Sequence, residues 1–158
     1  IEVYGVYDPE DYGLDINMWS NSDGDHLKNI FSKINKINLS KDASEIVKIS
    51  MLTNSHPPKK NILEKKFFKF KSDWLIKNSD LELIEEYIVK NQIFDDHSEL
   101  TRYLVDQYLS KGNIEKACEI FSKNFEPINN EYLSEYDCDN EVGKTLTSLI
   151  TSNDYQRK

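Results

Sequence analysis

Residues 74–91 read WLIKNSDLELIEEYIVKN, and 33 positions further on residues 107–124 read QYLSKGNIEKACEIFSKN. The two stretches share Glu82/Glu115, Glu86/Glu119, Lys90/Lys123 and Asn91/Asn124, and their apolar positions stay in phase. A unit recurring at this length is the mark of helix pairs that stack on one another, because one pair cannot bury its apolar face alone. The repeat predicts an all-α chain, a short α-solenoid of about three antiparallel helix pairs.

Working outward, Leu63, Phe67, Phe70 and Trp74 fall at i, i+4, i+7 and i+11, one helical stripe, with Lys65, Lys66 and Lys69 off it. Ser79 followed by Glu82 has the form of a capping box, and Leu81, Ile84 and Ile88 carry the next face. In the following pair Asp96 and Glu99 repeat the cap, and Leu100, Leu104, Val105 and Tyr108 form the face. Gly112-Asn113 then turns the chain into Ile114, Ala117, Cys118 and Phe121, and Pro127 closes the unit. An earlier pair is expected from Asp25, capped by Asp23 or Asp25, with Leu27, Ile30, Phe31 and Ile34 on one side. Asp42 and Glu45 precede its second helix, which carries Ile46, Val47, Ile49, Met51 and Leu52, and Pro57-Pro58 ends it.

Both ends depart from this pattern. Counting one repeat on from Leu104 and Val105 reaches Asp137 and Cys138, so residues 128–158 are expected to be a degenerate fourth unit, or a capping helix around Leu146, Leu149 and Ile150 with a tail. Residues 1–24 hold Tyr4, Tyr7, Tyr12 and Trp19 among acids, without Lys, Arg or a sustained period. They are expected to be an irregular acidic and aromatic segment, docked by its rings or serving as a docking strip. The helical-repeat domain is thus placed at 25–127.

The third unit resembles a tetratricopeptide repeat in degenerate form: Leu104, Tyr108, Gly112, Ala117 and Phe121 stand at that family's spacing, and GNIEKACEIF matches its turn and second helix. Val105 stands where the family usually has a small residue, Asn124 replaces another, and Pro127 comes early. The chain is also similar to uncharacterised helical-repeat proteins of AT-rich bacteria, a likeness that brings no function with it. In the tetratricopeptide family the first helix of each pair lines a concave groove. Carried over by position, that groove would present Lys66, Lys69, Asp73 and Lys77 on one helix and Glu99, Arg102 and Asp106 on the next. Mixed signs suit an extended peptide carrying both charges. The family's carboxylate-clamp form needs Asn where Asp73 and Asp106 stand, which argues against recognition of an anionic C-terminus.

Composition narrows the function classes. A net charge of −8 repels phosphate at long range, which opposes general binding to nucleic acid or anionic lipid. The run Lys59–Lys71, KKNILEKKFFKFK, holds six lysines against one glutamate, and its phenylalanines are spaced as core, so it reads as a solvated lysine face over a buried stripe. No run of about 18 apolar residues spans a bilayer. The two cysteines, Cys118 and Cys138, offer neither a disulfide framework nor zinc spacing and read as unpaired thiols. WSNSDG puts Trp19 where a calcium loop needs its first carboxylate. His26, His56 and His97 join no metal array, and no nucleophile elbow or phosphate loop is present.

No cofactor, metal site or catalytic residue is therefore expected. The reading is a non-enzymatic module that binds a peptide or protein partner in a groove. The alternative is a scaffold segment of a larger cell-envelope or periplasmic enzyme whose catalytic residues lie outside this chain, since Ile1 in place of Met marks a fragment or a processed chain. Compartment and oligomeric state are not legible, and the periplasm is compatible.

Overall fold

The computed structural model describes residues 3–91 and 98–124; the expected cap at Asp96, the stop at Pro127, Cys138 and the whole of 128–158 lie outside them, as does the side chain of Phe121. Among the described residues six α-helices form: α1 Gly24–Ile34, α2 Lys41–Leu52, α3 Glu64–Asn78, α4 Leu81–Asn91, α5 Ser98–Ser110 and α6 Ile114–Asn124. One turn of 3-10 helix, Glu10–Tyr12, precedes them. Among the described residues there is no strand, only isolated bridges such as Tyr4–Ser55 and Tyr7–Thr53. The helices fall into two compact units, Ile1–Gln92 with α1 to α4 and Ile93–Lys158 with α5 and α6.

Side-chain caps set the starts of α1, α2, α4 and α6, and two lie elsewhere than the sequence suggests, whereas α3 begins after Leu63 without one. Asp23 accepts from the Asp25 amide ahead of α1, as expected. Ser40 caps α2 through the Ala43 amide, which leaves Asp42 inside the first turn. Asp80 caps α4 by accepting from the Leu83 amide at 2.9 Å. Ser79 cannot take that role because it ends α3, its amide donating to Leu75 O. Asn113 caps α6 through the Lys116 amide, after the Gly112 and Asn113 amides close α5 on Leu109 O and Tyr108 O.

The buried face of α3 is wider than one stripe and includes a charge. Phe67, Phe68, Lys71, Ser72, Trp74 and Leu75 are buried, Phe70 is half-buried, and Leu63 is 79% exposed because it stands before the first helical residue. On α1, Leu27 and Phe31 face inward while Ile30 does not; on α2 the burial gathers at Met51 and Leu52. In the second unit α5 packs against α6, burying Leu100, Leu104, Val105 and Leu109 with Ala117 and Ile120. Cys118 on α6 is disulfide-bonded and is not the free thiol expected from the sequence; two cysteines are too few to read a framework, so only proximity in space could reveal the bond.

Within the first unit α1 and α3 lie side by side in the same sense. Lys28 donates to Asn61 O just before α3, Phe31 meets Phe70 at 4.8 Å, and Lys77 near the end of α3 donates to Asn35 O just after α1. Trp19 seals this seam, edge-on to Phe67 at 5.6 Å and 6.4 Å from Phe31. A polar clasp holds its near end: Asp23 accepts from Lys60 Nζ and Asn61 Nδ2, each at 2.9 Å, and the Lys60 ammonium first, then the Asp25 amide, with a smaller part from Asn61, pull its carboxyl down to a pKa of about 2. Gly24 is required there, since a Cβ would meet Ile62 Cβ at 2.3 Å and Asn61 O at 2.6 Å.

Trp74 is 3% exposed in this core. Trp74→Ala is expected to cost about 3–5 kcal/mol through lost burial and the cavity left behind, whereas Leu63→Ala should stay within about 0.5 kcal/mol. Urea unfolding of both variants and the parent checks the contrast.

Candidate functional site

The seven residues expected to line a groove occupy the first helices of their pairs. Lys66, Lys69 and Lys77 are exposed on α3, with Asp73 half-buried; Glu99 and Arg102 are exposed on α5, with Asp106 half-buried. The α3 set belongs to the first unit and the α5 set to the second. On α3 the charges already have partners: Lys69 pairs with Asp73 at 3.1 Å, Lys66 lies over the Phe70 ring at 5.6 Å, and Lys77 holds Asn35 O. An exposed pair of this kind contributes little to stability. These side chains can therefore exchange partners at small cost.

Among the described residues a dense set of polar contacts lies elsewhere, around a strap of residues 3–7 that bends at Val6 and whose sequence carries no period. Tyr4 and Val6 are 3% and 4% exposed. Val6 N and Tyr7 N donate to Leu52 O at 2.7 and 3.1 Å, and Asn54 N donates to Tyr7 O at 2.9 Å, so the strap runs along the end of α2. From α4, Asn91 Oδ1 accepts from Gly5 N at 2.9 Å and Lys90 Nζ donates to Val6 O at 2.6 Å. From α3, Lys71 Nζ donates to Tyr4 O at 2.9 Å, and the Tyr4 ring meets Phe68 edge-on at 4.1 Å. A Cβ at Gly5 would come within 2.5 Å of Asn54 N and 2.6 Å of Leu52 O. No other residue fits without moving backbone.

Lys71 is the residue that sequence reasoning missed. It is fully buried, with its ammonium 5.3 Å from the Phe67 ring, and was expected among the solvated lysines. The signal was in the repeat: 33 positions on stands Leu104, also fully buried. A lysine at a position the repeat assigns to the core needs a partner supplied from outside the helix pair, and the strap carbonyl is that partner.

Other chemistry is sparse. A cleft of about 740 Å³ is lined by Val3, Leu14 and Ile16 with Asp8, Glu10, Asp15, Asn17 and Asn54. Two of its acids fold the loop itself, Asp8 accepting from Glu10 N at 2.9 Å and Asp15 from Asn17 N at 2.6 Å. Among the described residues no group of His, Cys, Asp and Glu could hold a metal ion, and no helix is long and apolar enough to cross a membrane. No known family model, curated protein or solved structure matches the chain.

Burial pushes the Lys71 ammonium from the ordinary lysine value of 10.5 down to about 7. The unfolded chain then binds more protons than the folded one between about pH 7 and 10.5, so stability rises with pH across that window. The buried Tyr87 phenol, pushed up from 10.0, acts oppositely above pH 10, where the unfolded chain loses a proton that the fold retains. Unfolding free energies measured from pH 7 to 9.5 should climb with a slope approaching ~1.4 kcal/mol per pH unit, and Lys71→Met should flatten that slope.

Proposed function

We propose that this chain is a non-enzymatic, tetratricopeptide-like helical-repeat module, a short solenoid of antiparallel helix pairs whose first helices present a binding face to an extended peptide or protein segment. The observation that carries the reading is a burial pattern that repeats along with the sequence. Phe67/Leu100, Phe68/Thr101, Lys71/Leu104 and Ser72/Val105 are buried in step on the first helices, as are Ile84/Ala117 and Tyr87/Ile120 on the second. Lys66/Glu99 and Lys69/Arg102 are exposed in step, and Asp73/Asp106 are half-buried in step. Equivalent exposure of charged residues on successive first helices supports a recognition face repeated once per unit. The parallel placement of α1 and α3 is what such stacking requires of first helices.

The bonded state of Cys118 favours a second reading. Disulfides persist in oxidising compartments, which suits a scaffold segment of a larger cell-envelope or periplasmic enzyme whose chemistry lies outside these residues. Expression of the gene's complete product, followed by a search for activity that depends on a flanking domain, separates this reading from the first.

The binding face is tested with an array of extended peptides carrying both charge signs, measured against the parent, Lys69→Glu and Arg102→Glu. Each reversal should weaken a bound peptide about tenfold, or ~1.4 kcal/mol, with unchanged far-ultraviolet circular dichroism. Peptides retained equally by both folded variants would show that binding uses another surface.

A further inference from the structure

Within the first unit the seam between α1 and α3 carries one charged stripe. Gly24, Lys28, Phe31 and Asn35 fall at i, i+4, i+7 and i+11 along one side of α1 and reach the α3 side in turn: Gly24 N donates to Lys60 O, Lys28 to Asn61 O, Phe31 meets Phe70, and Asn35 O accepts from Lys77. Lys66, Phe70, Asp73 and Lys77 have the same spacing on α3, so all four border this seam, with Lys69 beside them. Asp25 answers Lys28 at 3.0 Å and Asp73 answers Lys69 at 3.1 Å. Among the described residues no carboxylate answers Lys66 or Lys77, which rest on the Phe70 ring and on a main-chain carbonyl. The repeat does not call for this pair of cations, since 33 positions on stand Glu99 and Ser110.

We propose that this seam takes an acidic stretch of an extended protein partner, with one side-chain carboxylate on Lys66, a second on Lys77 and an apolar side chain between them over half-buried Phe70. Eleven helical residues separate the two lysines, a rise of about 16 Å, which an extended segment spans in about five residues. The contacts that Lys66 and Lys77 make within the chain are exposed ones, which yield to a carboxylate at small cost. A nucleic-acid strand fits less well. The rings it would stack on are withdrawn, Phe31, Phe67 and Phe68 being buried and Phe70 covered by Lys66. The net charge of −8 also repels a polyphosphate far more than a segment with two carboxylates. This inference rests on the helix-face reading and names the chemical class of partner that the first unit selects.

The test titrates the whole chain with fluorescein-labelled peptides of about twelve residues, amidated at the C-terminus so that every acid is a side chain. A peptide with two glutamates about five positions apart around a leucine should bind about tenfold more tightly than the same peptide with lysines in their place, and more tightly than one with the glutamates adjacent. Lys66→Gln combined with Lys77→Gln should weaken it about tenfold, and Lys66→Gln alone, which leaves the contact of Lys77 with Asn35 in place, should produce part of that loss. Lys33→Gln combined with Lys36→Gln makes the same change of net charge at exposed lysines outside both stripes and should leave binding unchanged, with circular dichroism showing every variant folded. Equal weakening by the two double variants overturns the proposal, as does indifference to glutamate spacing. If the acidic peptide is not bound while peptides of mixed sign bind and are lost in Lys69→Glu, this inference falls and the helix-face reading stands; insensitivity to every variant overturns both. Tighter binding of a thymidine oligonucleotide through Lys66 and Lys77 would assign the seam to nucleic acid and overturn the choice of partner.

Discussion

The ammonium of Lys71 has to be paired, and its partner is the carbonyl of Tyr4, 67 residues earlier and 2.9 Å away. A lysine nitrogen taken out of water without an acceptor destabilises a fold by several kcal/mol. The surrounding side chains are apolar: the Phe67 ring lies 5.3 Å from the nitrogen, and Phe68 packs against the Tyr4 ring. The strap thus completes the core of the first unit. With Tyr4 O fixed by α3, Gly5 and Val6 reach the end of α4, and Val6 and Tyr7 reach the end of α2. One short segment of the chain joins three helices through its backbone.

This arrangement explains an irregularity of the repeat. The first residues of α4 and α6 are 33 positions apart, whereas those of α2 and α4 are 40 apart. The longer first interval accommodates the connection from Thr53 to Leu63, which receives the strap on one side and the Asp23 clasp on the other. Gly5 and Gly24 mark the two places where backbone approaches backbone too closely for a side chain. The first pair is built to hold an inserted segment, and the last pair to follow the plain repeat.

The same comparison separates two kinds of surface. Positions that face solvent in step with the repeat carry charges of both signs. The groups that hold residues 4–7 have a different character: buried, directed at main-chain groups and intolerant of any residue but glycine at position 5.

The helices were legible from periodicity alone, because burial on a helix recurs every three or four residues. Phe67 and Trp74 on α3, Ile84 and Ile88 on α4, and Leu100 and Leu104 on α5 could all be placed on the buried side in this way. Caps were legible only to within a residue or two, since Ser40, Asp42, Ser79 and Asp80 are all competent and the choice depends on where the preceding helix ends. The strap and the state of Lys71 were decided by tertiary structure. A five-residue segment carries no period, and the acceptor that makes a buried lysine tolerable lies far away in the chain. Equivalence with Leu104 signals that position 71 belongs inside; only the folded chain shows that Tyr4 O is waiting there.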